Sequence, residues 1–149
     1  MEKNKQTGRS VRDVMTANPE CISEKDTIRD AARIMAKQDT GVVPVVNGKK
    51  VVGMITDRDI VIRVIAEGKD CSAAKAADAM SKGVKTVRED ASVDDALKLM
   101  SSSQVRRIPV VNANDELVGI VSMGDISKTD QDNKVGRVIE TISEAPPNK

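Results

Sequence analysis

Two short segments carry residue types that could hold neighbouring hydroxyl groups of a ligand. Each has a hydroxyl side chain followed three positions later by a carboxylate: Thr56 with Asp59, and Ser122 with Asp125. A carboxylate can accept hydrogen bonds from two vicinal hydroxyl groups at once, and charge-assisted bonds are the stronger kind. The same spacing is a helix-capping pattern. The two roles are compatible, because the cap uses the hydroxyl and leaves a carboxylate lone pair for a ligand.

The composition excludes several other chemistries. The chain has 149 residues and contains no His, Phe, Trp or Tyr. It therefore has no imidazole base, no His metal ligand and no aromatic platform on which unpaired bases could stack. Lys and Arg total 24 against 23 Asp and Glu, which gives a net charge of +1. A nearly neutral chain has no overall attraction to nucleic acid or to an anionic membrane, so binding to either is disfavoured.

The cysteines and the N-terminal residues indicate the expected cellular location. Cys21 and Cys71 are isolated, so they favour reduced thiols over a disulfide or a zinc site. No carboxylate cluster has metal-ligand spacing, and we predict no metal and no required cofactor. The polar start of the chain and the lack of any run of 18 apolar residues predict a soluble, cytoplasmic protein.

Both hydroxyl and carboxylate motifs belong to a tandem repeat. Four residue pairs share an offset of 65 positions: Met15 and Met80, Ala31 and Ala96, Met35 and Met100, Pro44 and Pro109. After the prolines the offset is 66, as for Gly53 and Gly119. A fixed offset of this kind is the signature of repeated structural units.

Each copy predicts the element order β-α-β-β-α. A first helix follows from apolar residues at helical spacing, in the sets Ile28, Ala31, Ala32, Met35 and Val93, Ala96, Leu97, Met100. Asn47-Gly48 between two Val-rich runs predicts a β-hairpin in the first copy. A second helix is expected from Thr56 to Gly68, with Ile60, Val61, Val64 and Ile65 facing inward.

The predicted organisation has five parts. They are a disordered N-terminus (1–9), repeat 1 (10–67), a linker (68–74), repeat 2 (75–128), and a C-terminal helix and tail (129–149). The helix is expected at 135–142, where Val135, Val138, Ile139 and Ile142 follow helical spacing, and residues 145–149 are expected to be disordered.

The order of these motifs resembles the cystathionine-β-synthase (CBS) domain, twice. The first set is Asp13–Thr16, a strand with Pro44, Val52–Ile55 and Thr56–Ile60, and the second is Asp78–Ser81, Ile108–Val111, Val118–Val121 and Ser122–Ile126. The resemblance spans roughly residues 10 to 128. It implies an α+β fold of two CBS repeats, each with a three-stranded sheet, related by a pseudo-two-fold axis and burying their apolar faces against each other. It also implies a homodimer.

The resemblance further implies adenosine ligands in clefts between the two repeats. Thr56 with Asp59, and Ser122 with Asp125, would hold two riboses, and backbone at Val42-Val43 and Arg107-Ile108 would recognise adenine. The remaining cleft-lining residues would be Thr16, Ile22, Ser81 and Val87. Arg58, Arg106 and Arg107 could neutralise phosphate by bidentate contacts, or could be solvated surface residues.

The function predicted from these features is a regulatory sensor of ATP, ADP or AMP. The alternatives are another adenosyl ligand, S-adenosylmethionine or NAD, or nucleic acid. An enzyme is disfavoured, because a chain without His offers only Asp59 and Asp125 in equivalent roles and no catalytic residue is identified. The regulated target is expected to be a separate effector protein.

Overall fold

The computed structural model describes residues 9–128 and residue 142, which fall into two compact units. The first unit is Pro19–Val84. The second unit joins residues 9–18 to residues 85–128 and Ile142. The predicted terminal disorder and most of the predicted helix at 135–142 lie outside the described residues, although Ile142 itself is helical and buried.

The first unit contains one three-stranded sheet with strand order β2-β3-β4. Its elements are β2 (Ile22–Ser23), α2 (Ile28–Gln38), β3 (Val42–Asn47), β4 (Lys50–Thr56), α3 (Asp57–Ile60), a π-helical turn (Val61–Ile65) and α4 (Ala76–Ala79). Strand β2 runs parallel to β3, and β3 and β4 form an antiparallel hairpin. The predicted order β-α-β-β-α is confirmed here.

The second unit repeats this order but has four strands, in the order β1-β7-β6-β5. Its elements are α1 (Val11–Val14), β1 (Thr16–Ala17), β5 (Val87–Arg88), α5 (Val93–Ser103), β6 (Arg107–Val111), β7 (Leu117–Ser122) and α6 (Met123–Ser127). The expected three-stranded sheet is wrong for this unit. The extra strand arises because β1 pairs antiparallel with β7, with Thr16 opposite Ile120.

The long helices begin and end where their residue types require. Helix α2 starts at a capping box in which the Thr27 side chain accepts from the Asp30 N–H and Asp30 accepts from the Thr27 N–H. It ends at Asp39, whose φ of 52° lies in the left-handed region. Ile28 and Met35 are buried as expected, but Ala32 is exposed, because the buried side of the helix follows Ile28, Ala31 and Met35 and leaves position 32 outside it.

The first hairpin turns one residue later than the sequence suggested. Asn47 pairs with Lys50, so Gly48 and Lys49 form the two-residue loop. Gly48 takes a φ of +66°, which glycine adopts without a steric penalty. The predicted hairpin is therefore confirmed with a shifted turn.

The second helix of the first unit differs from its prediction. After Ile60 the chain continues as the π-helical turn, in which Val64 is fully buried. Val61 and Ile65, which were expected to face inward, are 51% and 58% exposed. Residues four apart form one row on a helix, and only the row of Ile60 and Val64 reaches the core.

Each unit contains the leading helix of the other sequence repeat. In the first unit, the N–H groups of Ala76 and Ala77 donate to the carbonyl oxygens of Asp26 and Glu24, at 2.7 and 3.1 Å. In the second unit, Val11 and Arg12 donate in the same way to Ala91 and Glu89. The compact units are therefore not the sequence repeats, because each repeat contributes its first segment to the other unit.

Each unit has its own aliphatic core. Ile28, Val43 and Ile55 are fully buried in the first unit, and Val11, Met100 and Val110 in the second. No helix within the described residues is long and apolar enough to cross a membrane.

Candidate functional site

The first candidate site begins where β4 passes into α3. Thr56 Oγ1 accepts from the Asp59 N–H at 3.0 Å, and the Thr56 N–H donates to Asp59 Oδ2 at 2.9 Å. This reciprocal capping box fixes the carboxylate against the strand end. The capping interpretation of the motif is thus confirmed, and it commits one carboxylate oxygen to the backbone.

Asp59 is unusual in its burial. Among residues 9–128 and 142 it is the one polar or charged residue that is buried, with 6% exposure. Its second oxygen, Oδ1, lies 3.9 Å from Nε of Arg63. That distance allows an ionic attraction but is too long for a hydrogen bond, so Oδ1 keeps its capacity to accept from hydroxyl groups.

The second candidate site has the same geometry in the second unit. Ser122 Oγ accepts from the Asp125 N–H at 3.0 Å, and the Ser122 N–H donates to Asp125 Oδ2 at 3.0 Å. Asp125 is only half-buried. The two carboxylates therefore share their capping geometry and differ in their exposure.

The strands place the predicted adenine-side backbone next to each motif. Val42 is the antiparallel partner of Thr56, and Arg107 is the partner of Ser122. Within the described residues, β2 pairs with β3 only at Val45 and Val46, so the first residues of β3 have no partner strand on that edge. The second unit repeats this arrangement between β5 and β6. An unpaired strand edge beside buried valines offers backbone groups and an apolar wall to a planar ligand.

The other predicted cleft residues are divided between the units in a way that the sequence did not indicate. Ile22 and Ser81 lie in the first unit, where Ser81 pairs with Met54 of β4. Thr16 and Val87 lie in the second unit, where Thr16 pairs with β7. The exchange of leading segments therefore places Thr16 and Ile22, which are close in sequence, in different units, and it does the same for Ser81 and Val87.

The arginines proposed for phosphate binding are also divided. Arg58 lies in the first unit, and Arg106 and Arg107 lie in the second; all three are exposed. Beside the first motif, the carboxylate of Asp57 lies over Gly41, where an added Cβ would be 3.0 Å from Asp57 Oδ2. In the second repeat the positions equivalent to Gly41 and Asp57 hold Arg106 and Met123. The second site therefore has the more positive surroundings.

Two residues near the first site were missed from the sequence. Arg63 was passed over although it follows Asp59 at the i, i+4 spacing of helical ion pairs, a signal that could have identified it. Asp57 was read only as part of the motif. Its position over Gly41 depends on the hydrogen bond from the Asp57 N–H to the Gly41 carbonyl at 3.0 Å, a contact between distant residues that no local pattern indicates.

Within the described part of the chain, no group of three or more Cys, Asp or Glu residues is placed to hold a metal ion. Cys21 and Cys71 are both free thiols. Partial burial, with a smaller contribution from the charge of Glu20, raises the pKa of the Cys21 thiol above its ordinary value.

Comparison with known proteins supports one family for both repeats. The family model of the CBS domain matches residues 11–66 and 76–132. The uncharacterized protein YlbB of Bacillus subtilis is 44% identical over 137 residues, which cover 90% of this chain and 91% of that protein.

Two solved structures share the fold and carry adenosyl ligands. The CBS domain pair of protein MJ0100, in complex with 5′-methylthioadenosine and S-adenosyl-L-methionine, is 32% identical, with a TM-score of 0.71 over 80% of this chain and 97% of that one. CBSX2 in complex with AMP is 26% identical, with a TM-score of 0.70 over 81% of this chain and 95% of that one. With the family model matched twice and the relative similar over nearly its full length, the chain belongs to the CBS-domain family.

Proposed function

We propose that this protein is a regulatory module that binds an adenine nucleotide, AMP, ADP or ATP, at Thr56 with Asp59 and at Ser122 with Asp125. The observation that carries the proposal is the buried carboxylate of Asp59. One of its oxygens caps the backbone, and the other makes only a 3.9 Å ion pair. A buried carboxylate with unused acceptor capacity is costly unless a ligand or water satisfies it.

The adenosine part of the ligand matches the chemistry of the site. The vicinal hydroxyl groups of a ribose are two donors that one carboxylate can accept together. The unpaired edge at the start of β3, with Val42 and Val43 buried behind it, suits the polar edge and the apolar face of adenine. The ligands of the two neighbouring structures, AMP in one and methylthioadenosine with S-adenosylmethionine in the other, share this adenosine portion.

The phosphate part would distinguish the two sites. Arg106 and Arg107 provide two exposed guanidinium groups in the second unit. In the first unit Arg58 is accompanied by the carboxylate of Asp57, which lies over Gly41. We expect the second site to favour di- and triphosphates and the first to favour ligands with less negative charge.

A thermal-shift panel tests the proposal. ATP, ADP, AMP, S-adenosylmethionine and NAD would each be added to the intact protein. A nucleotide at about a hundred times its Kd should stabilise the fold by roughly 2.7 kcal/mol. Asp59→Asn and Asp125→Asn should each abolish binding at one site. Asp90→Asn is the matched control, because Asp90 is an exposed residue of a surface ion pair with Arg88. The absence of a shift with every compound would contradict the proposal.

We also propose that the protein is cytoplasmic, has no catalytic activity and acts on a separate effector protein. Asp59 and Asp125 occupy equivalent caps, and the sequence has no His to serve as a general base. Incubation with ATP should therefore leave the nucleotide intact, and release of phosphate in proportion to protein concentration would contradict this assignment.

The working form that we propose is a homodimer. Val61, Ile62 and Ile65 are between 47% and 58% exposed, and they lie together on the π-helical turn of the first unit. Large aliphatic side chains grouped on a surface mark an interaction site, and a second copy of the chain is the occupant that we propose.

A further inference from the structure

Arg63 connects the candidate ribose site with a distant segment of the chain. Its Nε lies 3.9 Å from Oδ1 of Asp59. Its Nη1 donates to the carbonyl oxygens of Ala79 and Met80, at 3.1 and 3.2 Å. A single guanidinium group therefore contacts both the buried carboxylate and the C-terminal end of α4, and all of these residues lie in the first unit.

Each contact has a separate physical role. The last carbonyl groups of a helix have no partner within the helix, and an arginine that bonds them holds the helix end in place. The positive charge beside Asp59 compensates a buried negative charge. The distance to Oδ1 leaves that oxygen able to accept from ribose hydroxyl groups, so Arg63 orients the carboxylate without occupying it.

The helix end held by Arg63 continues directly into the sheet. Ser81 follows Met80 and exchanges two backbone hydrogen bonds with Met54 of β4, at 2.8 and 3.1 Å. Met54 lies two residues before Thr56, the cap of the candidate site. The segment Ala76–Ser81 is thus attached to the site from both sides, through β4 and through Arg63.

The sequence of the second repeat has no arginine at the equivalent position. With the offset of 66, the position equivalent to Arg63 holds Thr129, whose short hydroxyl side chain has neither the charge nor the reach of an arginine. Asp125 is also more exposed than Asp59. The arrangement is therefore a property of the first site and not a requirement of the capping motif.

We propose that Arg63 is a positioning residue that couples occupancy of the first site by a ribose to the placement of the segment Ala76–Ser81. This inference rests on the proposed adenosine site. If Arg63 holds Asp59 ready for the ligand, then by thermodynamic reciprocity the ligand also strengthens the hold on the segment. Because that segment begins the second sequence repeat, the ligand signal passes from one repeat into the other.

The test uses the intact protein carrying Asp125→Ala, which leaves only the first site. AMP and 2′,3′-dideoxy-AMP, which lacks both ribose hydroxyl groups, are titrated by calorimetry into this protein with and without Arg63→Met. We expect Arg63→Met to weaken AMP binding about tenfold, within the range typical of coupled sites, and to leave dideoxy-AMP binding unchanged. A merely structural arginine would weaken both ligands equally, and that result would overturn the inference.

Hydrogen exchange provides the second readout. AMP should slow exchange of the Met80 and Ser81 amides, which donate to Ala76 and Met54, and Arg63→Met should remove this protection. Arg63→Lys is the second variant. A lysine keeps the positive charge but cannot contact Asp59 and both carbonyl groups together. We therefore expect the lysine variant to bind AMP more tightly than dideoxy-AMP. AMP should not, however, slow amide exchange of Met80 and Ser81 in this variant. A lysine variant identical to the parent in both readouts would overturn the bridging role.

Controls separate this inference from the proposed function. Arg33→Met, at an exposed arginine of α2, should bind AMP like the parent protein. If the parent gives no heat with AMP and no shift with the wider panel, both the proposed site and the coupling are wrong. If the parent binds AMP and Arg63→Met shows the same affinities and the same protection, only the coupling is wrong.

Discussion

Asp59 and Asp125 illustrate how two residues with one sequence motif acquire different properties. Both accept the N–H of their capping residue through Oδ2. Asp59 is buried beside Arg63, whereas Asp125 is half-buried. The motif predicts the capping geometry, because that geometry involves residues three apart. It does not predict burial, which depends on the tertiary surroundings of each carboxylate.

Cys21 provides a prediction at the residue scale that depends on pH. Its thiol pKa is raised by partial burial and by Glu20, so the thiolate forms at higher pH than in an ordinary cysteine. In a Cys71→Ser variant, the rate of alkylation by iodoacetamide should therefore inflect above the value of about 8.5 typical of a free thiol. Glutathione measured in parallel is the reference compound, and an inflection at or below that of glutathione would contradict the prediction.

Among the structural elements, Gly53 of β4 and Gly119 of β7 each allow a neighbouring backbone segment to approach closely. An added Cβ at Gly53 would lie 2.6 Å from Sδ of Met80 and 2.8 Å from the carbonyl oxygen of Ser81. At Gly119 it would lie 2.9 Å from the carbonyl oxygen of Thr16. These are the positions at which each unit receives the leading segment of the other repeat. Only glycine leaves room for the backbone there.

We therefore predict that Gly53→Ala destabilises the first unit. The expected loss in the free energy of unfolding is about 1–3 kcal/mol, because the β4 backbone and the Met80-Ser81 segment must move apart. Urea unfolding provides the measurement. Gly124→Ala is the matched control, since its Cβ would meet nothing closer than Ser122 Oγ at 3.6 Å and a helix favours alanine. Equal stabilities of the two variants would argue against the close approach.

The elements themselves divide into those that the sequence predicts and those that it does not. Caps, helices and hairpins depend on residues that are close together in the sequence. Thr27 and Ser92 identify the starts of the two long helices, and Gly48 identifies the first hairpin. The repeat supports these assignments. The fourth strand of the second unit was missed because Thr16 pairs with Ile120, more than a hundred positions away. The outward direction of Val61 and Ile65 was missed because four aliphatic residues at helical spacing do not reveal how wide the buried stripe is.

At the scale of the whole molecule, the proposed homodimer leads to a direct test. Ile62→Glu with Ile65→Glu should convert the dimer into a monomer in sedimentation at micromolar concentration, because charged side chains oppose burial between copies. The double variant should still fold, because both side chains are about half exposed. Its thermal midpoint should be close to that of the parent protein diluted until it is monomeric. Arg29→Glu, at an exposed site on α2, is the control and should remain dimeric. A parent protein that sediments as a monomer would contradict the dimer itself.

Because synthesis starts at the N-terminus, the two units can complete their folding at different times. The first unit is the continuous stretch Pro19–Val84, so it can fold as soon as that stretch leaves the ribosome. Residues 9–18 of the second unit must wait until their partner strand at Ile120 has been made. At about 5–20 residues per second, synthesis of the stretch from Thr16 to Ile120 takes roughly 5 to 20 seconds. Val11, which is fully buried in the finished protein, remains uncovered for that period, and a nascent chain stalled before residue 120 would carry one folded unit and one without its full sheet.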